Sequence, residues 1–288
     1  MDFIYITNDP FRAGAAQMAG VHKVMVDLEI NGKDERQGHL NSVISRHTLE
    51  DVTKIRKVLN SSQLMVRINP LHDDSAGEIT RCIELGADIL MLPMFTNAVE
   101  VDKFLTLVRG RVETCLLLET GQALARVNEI VKVNGIQNIH IGLNDLHLSL
   151  KLDFMFELLS CGIVEYLASS IKSQSIKFGF GGIARIGQGA LGSELILSEH
   201  HRLGSSQVIL SRDFNLVYEG VSPEVGAGRF CKEVDSLKKY NRTVSLYTNE
   251  QLLSNSLELK STVHKLVSSK YLQDVDALDS AQTCSLPL

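Results

Sequence analysis

No stretch of this sequence approaches the roughly 18 uninterrupted apolar residues that a membrane-spanning helix needs, so the chain is expected to be soluble. Basic charge is not in excess either. Lys and Arg number 29 against 34 Asp and Glu, a net charge of −5, which leaves no general surface to neutralise a phosphate backbone. Nucleic acid and membrane are therefore not expected partners. The five cysteines (Cys82, Cys115, Cys161, Cys231, Cys284) stand singly, with no C-x-x-C pair and no metal-ligand spacing. Free thiols in a cytoplasmic protein follow, and Cys82, Cys115 and Cys161, set in apolar runs, read as small hydrophobes. The start, Met1 to Ile6, lacks a positive n-region and a small-residue cleavage site, and reads as a first strand.

What is present is a chain of 288 residues, 44% hydrophobic and 22% charged, which suits one large globular domain or two small ones and excludes disorder and collagen. From residue 1 to about 215, short β-rich apolar runs alternate with segments of helical period. The strand candidates are Phe3–Thr7, Lys23–Glu29, Leu64–Asn69, Asp88–Pro93, Thr114–Glu119, Ile139–Leu143, Ile176–Gly182 and Gln207–Ser211. Thr48-Leu49-Glu50-Asp51 opens the second helix, and Gly86 and Gly110 close the third and fourth. Eight such units predict an α/β fold, a (β/α)₈ TIM barrel, with a doubly wound open sheet as the alternative. Cys115-Leu116-Leu117-Leu118 is a continuous apolar run, as expected of a parallel strand buried on both faces.

The pattern changes at about residue 216, so that residues 1–215 form the barrel and 216–288 an extension. Gly220, Pro223, Gly226 and Gly228 read as a loop leading out of the barrel. Residues 229–270 are polar with leucines at helical spacing, which predicts one or two helices packed on the barrel or on another subunit. Asp274 to Leu288 are expected to be frayed.

In a (β/α)₈ barrel the active site lies at the mouth formed by the strand C-termini, so polar residues that end strands matter most. Strand two ends in Asp27-Leu28-Glu29, strand three in Arg67-Ile68-Asn69 and strand five in Glu119-Thr120-Gly121. Strand six runs into Gly142-Leu143-Asn144-Asp145-Leu146. Any one of these has an ordinary structural explanation, and Asp145 would serve equally well as a helix cap. Their convergence from four strands on one mouth points to a site. Two carboxylates from neighbouring strands, Glu119 and Asp145, suit a hard cation such as Mg²⁺ or Mn²⁺ with water and substrate oxygens completing its shell. The Arg67 fork suits a carboxylate, which predicts an acid substrate.

These segments resemble the HpcH/HpaI aldolase/citrate lyase β-subunit family of metal-dependent pyruvate-type barrels. Val26-Asp27-Leu28-Glu29 with Gly32-Lys33 and Arg36 resembles its D-L-E…K…R segment, and Val66-Arg67-Ile68-Asn69 its V-R-I-N strand. Gly86-Ala87-Asp88 with Met91-Leu92-Pro93-Met94, Leu118-Glu119-Thr120, and the Gly142 to Leu146 segment resemble its G-A-D…P, E-T and G-x-x-D-L motifs. The 26 positions from Glu119 to Asp145 also suit the family. The resemblance implies that Glu119 and Asp145 bind the divalent metal and that Arg67 holds the carboxylate of a 2-oxo acid. Substrate contacts are then expected at Gly142, Asn144 and Gly181, the last because the Phe180-Gly181-Gly182 backbone can approach closely.

The implied chemistry is that of a carbon–carbon lyase. A 2-oxo acid chelated to a divalent cation is more readily deprotonated, because the metal stabilises charge developing on the enolate oxygen, and the enolate then adds to an aldehyde or is released by cleavage. One departure stands out: the aldolase branch has a histidine directly after the D-x-E, where this chain has Ile30. Glu29 or a metal-bound water then moves the proton, or the reaction is a citrate-lyase- or citrate-synthase-like step on oxaloacetate and an acyl thioester. A catalytically inert barrel used as an assembly module is the reading from another class. The resemblance also implies a homo-oligomer, a trimer or hexamer.

Other features carry less weight. Gly187 to Gly192 fits G-x-G-x-x-G but follows the seventh strand, so it reads as a flexible loop and not a dinucleotide fingerprint. His140 reads as packed within strand six, while His147 is placed on a loop near the mouth. His200 and His201 read as a solvated or subunit-facing surface, and Asp73 and Asp74 as a solvated acidic loop. Arg212, after strand eight, is expected either to bind an anion or to pair with Asp213.

Overall fold

The computed structural model describes residues 1–30 and 47–283, with side chains described to residue 269. Gly32, Lys33 and Arg36 of the D-L-E segment, and Cys284, lie outside the described residues. Eight parallel strands close into a barrel in sequence order. They are β1 (Asp2–Ile6), β2 (Lys23–Asp27), β3 (Gln63–Arg67), β4 (Ile89–Leu92), β5 (Glu113–Leu118), β6 (Asn138–Ile141), β7 (Lys177–Ile183) and β8 (Gln207–Leu210). Each overlaps the run predicted for it, and β1 pairing with β8 closes the ring and removes the open-sheet alternative. Around them run α1 (Pro10–Met18), α2 (Leu49–Val58), α3 (Ser75–Glu84), α4 (Ala98–Val108), α5 (Gly121–Ala125) and α6 (Val127–Ile130). There follow α7 (Leu143–Ser149), α8 (Glu157–Ser160), α9 (Ile163–Lys172), α10 (Ser193–Leu203), α11 (Pro223–Val244) and α12 (Asn249–Thr283).

Strand alternation divides the apolar residues into two cores. Ile4, Met25, Met65, Ile89, Met91, Cys115 and Leu117 fill the barrel interior. Their neighbours, such as Val24, Val26, Leu64, Val66 and Leu116, join the layer between sheet and helices. At the N-terminal end the interior is closed by polar contacts: Lys23 Nζ donates to Gln207 Oε1 at 2.8 Å and lies 3.2 Å from Asp2 Oδ2. Cys82 and Cys115 are fully buried, and desolvation pushes both thiols up to about 12, which fits their reading as hydrophobes. Cys161 is exposed at the C-terminus of α8, contrary to that reading, because the apolar run around it ends in a turn at the surface.

The extension differs from its prediction in two places. The segment through Gly220, Pro223, Gly226 and Gly228 is not a loop leading out: a 3₁₀ helix covers Arg212–Tyr218, and α11 begins at Pro223. Ser222 caps α11 by accepting from Val225 N, and proline at the first helical position needs no amide partner. Gly226 sits inside α11 because the Tyr218 ring lies against it; a Cβ there would come 2.3 Å from Tyr218 Cδ1. Helical backbone also continues to Thr283, through the first part of the segment expected to fray. α11 packs on α1, and α12 on α10 and α8.

His200 corrects another expectation. It is fully buried in α10, its ring stacked on Phe180 at 3.6 Å between centroids and its Nδ1 2.7 Å from Ser205 Oγ. The charged neighbours that made it look solvated are themselves paired, Glu199 bonding Arg202 at 2.7 Å.

Candidate active site

The register of β2 and β3 sets Asp27 opposite Arg67. Both side chains belong to the interior face, and the consequence is a fork-to-fork pair: Arg67 Nε and Nη2 donate to the two Asp27 oxygens, each at 2.7 Å. Glu29 Oε2 lies 3.3 Å from Arg67 Nη1. Burial opposes the charge on Arg67, but Asp27 and Glu29 outweigh it and hold the guanidinium firmly protonated. The edge of Arg67 predicted to grip a substrate is thus taken by Asp27.

Glu119 follows β5 directly and is 3% exposed. Thr120 fixes the chain behind it, donating to Phe95 O at 2.8 Å and accepting from Ala123 N at 3.0 Å. Met94, in the left-handed region at φ 56, donates its amide to Glu119 Oε1 at 3.2 Å. That conformation costs a non-glycine residue about 1–2 kcal/mol, held by the rest of the fold. Gly142 donates to Leu118 O at 2.9 Å, which brings the β6 end against Glu119. A Cβ at Gly142 would stand 2.9 Å from Glu119 Oε2, so the carboxylate uses space that only glycine leaves.

Asp145 does not end a strand, as predicted, but occupies the first turn of α7, because the chain enters the helix immediately after Gly142. Its charge nevertheless reaches Glu119. Burial above all, then Asp145, then Glu29 push the Glu119 carboxyl well above its usual range, with Arg67 and the Met94 amide opposing. Glu119, Asp145, Arg67, Asp27 and Glu29 therefore form one electrostatic cluster. Burial and the charge on Arg67 also work against Arg212, with Asp27 favouring it, so this second guanidinium shares the mouth. Its sequence neighbour Asp213 is bonded instead by Arg185, at 2.6 Å.

The remaining expected contacts are dispersed. Asn144 is exposed in the first turn of α7. The Gly181 carbonyl lies 3.0 Å from His140 Nε2, inside the barrel. His140 is fully buried, and burial lowers it to about 4, so it is a neutral packed side chain as read from the sequence. His147 lies in α7, not on a loop, its Nδ1 3.2 Å from Leu143 O. Ile30 is half exposed, its amide donating to Asn69 Oδ1 at 2.9 Å.

Two participants escaped sequence reading. The role of Asp27 was in principle legible, since a strand-end acid and a strand-end arginine on adjacent strands fall in register. His47 was not: its Nδ1 accepts from the Asp27 amide at 3.0 Å, across 20 residues of chain, and its sequence signal is only a histidine before a helix cap.

A buried carboxylate raised by a second carboxylate is an arrangement that a cation relieves, so the donor set fits a divalent ion. Among the described residues no group of three or more Asp, Glu, His or Cys side chains is arranged to hold a metal ion by itself. No described helix is long and apolar enough to cross a membrane.

The profile of the HpcH/HpaI aldolase/citrate lyase family matches residues 5–155, more than half the chain. The chain belongs to this family. Members of the HpcH/HpaI family are aldolase- or lyase-like enzymes. No curated protein sequence matches this chain significantly. Among solved structures, the CitE protein from Mycobacterium tuberculosis in complex with magnesium and pyruvate aligns with a TM-score of 0.59 at 14% identity, over 90% of this chain and 96% of that one. An HpcH/HpaI aldolase/citrate lyase family protein from Burkholderia cenocepacia J2315 aligns at 0.57 and 14%, over 74% and 90%. The citrate synthase SbnG aligns at 0.57 and 14%, over 79% and 92%. At these identities the likeness establishes the shared barrel.

Proposed function

We propose that the chain is a divalent-metal-dependent carbon–carbon lyase, an aldolase-like enzyme acting on a 2-oxo acid such as pyruvate. The observation that carries this reading is Glu119: a carboxylate almost wholly removed from water, beside a second carboxylate, with a guanidinium of the same cluster within its field. An inert scaffold gains nothing from such a cluster, whereas a cation site needs it.

Glu119 and Asp145 would hold Mg²⁺ or Mn²⁺, which when bound supplies Lewis-acid stabilisation of negative charge on a ketone oxygen. Arg67 orients the acid through its remaining Nη hydrogens, and the pair with Asp27 keeps the guanidinium from swinging between rotamers. Glu29, 3.3 Å from Arg67 Nη1, or a water would take the proton from the substrate carbon. Gly142 keeps room for Glu119. The second substrate is an aldehyde or an acyl thioester. The barrel of SbnG favours keeping a citrate-synthase-like condensation as the second reading, which requires binding of a coenzyme A-type thioester.

Exchange of pyruvate methyl protons with deuterated solvent tests the proposal. Exchange that depends on Mg²⁺ and falls at least about 100-fold in Glu119→Gln supports it. Absence of both exchange and turnover in the folded wild type favours the assembly module. The family likeness and the exposed Leu253 and Leu257, one turn apart on α12, support a homo-oligomer, which sedimentation velocity checks.

A further inference from the structure

At the mouth the edge of β2 that faces β1 extends past the last β1–β2 pair, Ile6 with Met25. Thr7 donates to Met25 O at 3.1 Å, after which β1 turns into the loop before α1. Leu28 donates across to Arg67 O at 2.9 Å, on the β3 side, so by strand alternation the preceding amide, that of Asp27, points back towards β1. Instead of a strand carbonyl it meets His47 Nδ1, at 3.0 Å. His47 is held there from its own side. Thr48 and Asp51 form the capping box that starts α2, and Asn8, from the loop after β1, donates to Asp51 Oδ2 at 3.3 Å. An imidazole whose Nδ1 accepts an amide carries its neutral-state proton on Nε2, so the contact also fixes the tautomer.

We propose that His47 is a positioning residue for the Arg67 clamp: by accepting the Asp27 amide it sets the height of the strand end whose carboxylate grips Arg67 in two hydrogen bonds. This rests on the 2-oxo acid reading above. It gives the chain a histidine in contact with the D-x-E segment although Ile30 stands where the aldolase branch has one, and it assigns that histidine to geometry and not to proton abstraction.

The test uses three variants of the full chain. His47→Asn keeps an acceptor near the place of Nδ1 and removes Nε2; His47→Gln keeps a polar group near Nε2 and removes the Nδ1 acceptor; His47→Ala removes both. The first readout is hydrogen exchange at the Asp27 amide without metal or substrate. The second is calorimetric affinity for pyruvate with Mg²⁺, alongside KM and kcat for methyl-proton exchange. Ala and Gln should each speed amide exchange and weaken pyruvate binding about tenfold with little change in kcat, and Asn should restore both to near wild type. Wild-type amide protection in Ala overturns the proposal, as does a kcat in Asn as low as in Ala, which would make Nε2 a participant in the reaction. Amide protection is read on the protein alone, so it decides the role of His47 even where pyruvate does not bind and the functional reading falls.

Discussion

The two ends of the barrel interior handle buried charge in opposite ways. At the N-terminal end Lys23 is matched by Gln207 and Asp2, and the group of contacts is closed. At the mouth one carboxylate, Glu119, is buried among others with its pKa driven up, and Arg67 is already committed to Asp27. The first arrangement is what stability asks for. The second leaves an electrostatic demand that a cation and an acid ligand can meet, and this contrast supports the proposed function.

The contrast can be broken by pH. His140 is neutral in the fold, lowered to about 4 by burial, against 6.5 in a solvated chain. Between those values the unfolded chain takes up the proton first, so stability falls as pH drops through the window and is flat above it, by up to about 3 kcal/mol. Urea midpoints from pH 7 to 4.5 should show the fall, to which His200, also held well below its usual value by burial, adds in the same sense, and His140→Gln should lessen it. Glu119 works in the reverse sense, since a raised folded pKa means that protonation at lower pH favours the fold.

Next in size, Lys23→Ala should lower stability by about 2 kcal/mol, below the value for a fully buried pair because Asp2 is partly exposed, and leave activity per folded molecule unchanged. Denaturant titration and methyl-proton exchange on the same sample check both halves. Arg67→Lys should raise the KM for pyruvate about tenfold, because a point charge cannot hold Asp27 by two bonds and meet an acid as well. The smallest effect is also the most telling. Glu119→Gln, inactive by the proposal, should gain about 1 kcal/mol of stability at neutral pH, since it removes a buried acid that Arg67 and the Met94 amide offset only in part. A loss of stability there would make Glu119 a structural residue like Lys23.

The barrel was legible because its signals are local. Apolar runs of strand length, Thr48 ahead of Asp51, and glycine after α3 and α4 each report on a few adjacent residues, and all eight strands lie where those signals put them. The candidate site was legible as a set of strand ends, but its internal pairing was not. The hold of Asp27 on Arg67 follows only once β2 and β3 are set in register, and nothing local says that Asp213 turns to Arg185 or that His47 reaches back to β2. Composition misled where helices carry glycine and proline: Pro223 starts α11, and Gly226 makes room for Tyr218. It misled again at His200, whose charged neighbours pair with each other and leave the ring to the core.

The Arg185–Asp213 pair ties the loop after β7 to the 3₁₀ helix after β8, two and three staves on from β5 and Glu119. The acid machinery and this clasp thus rest on separate staves of the same barrel. Residues 186–192 lie on that loop and not on β2, β3 or β5, so on the proposed reading randomising them while retaining Arg185 and Asp213 is expected to leave the acid cluster, and with it pyruvate binding in the presence of Mg²⁺, intact.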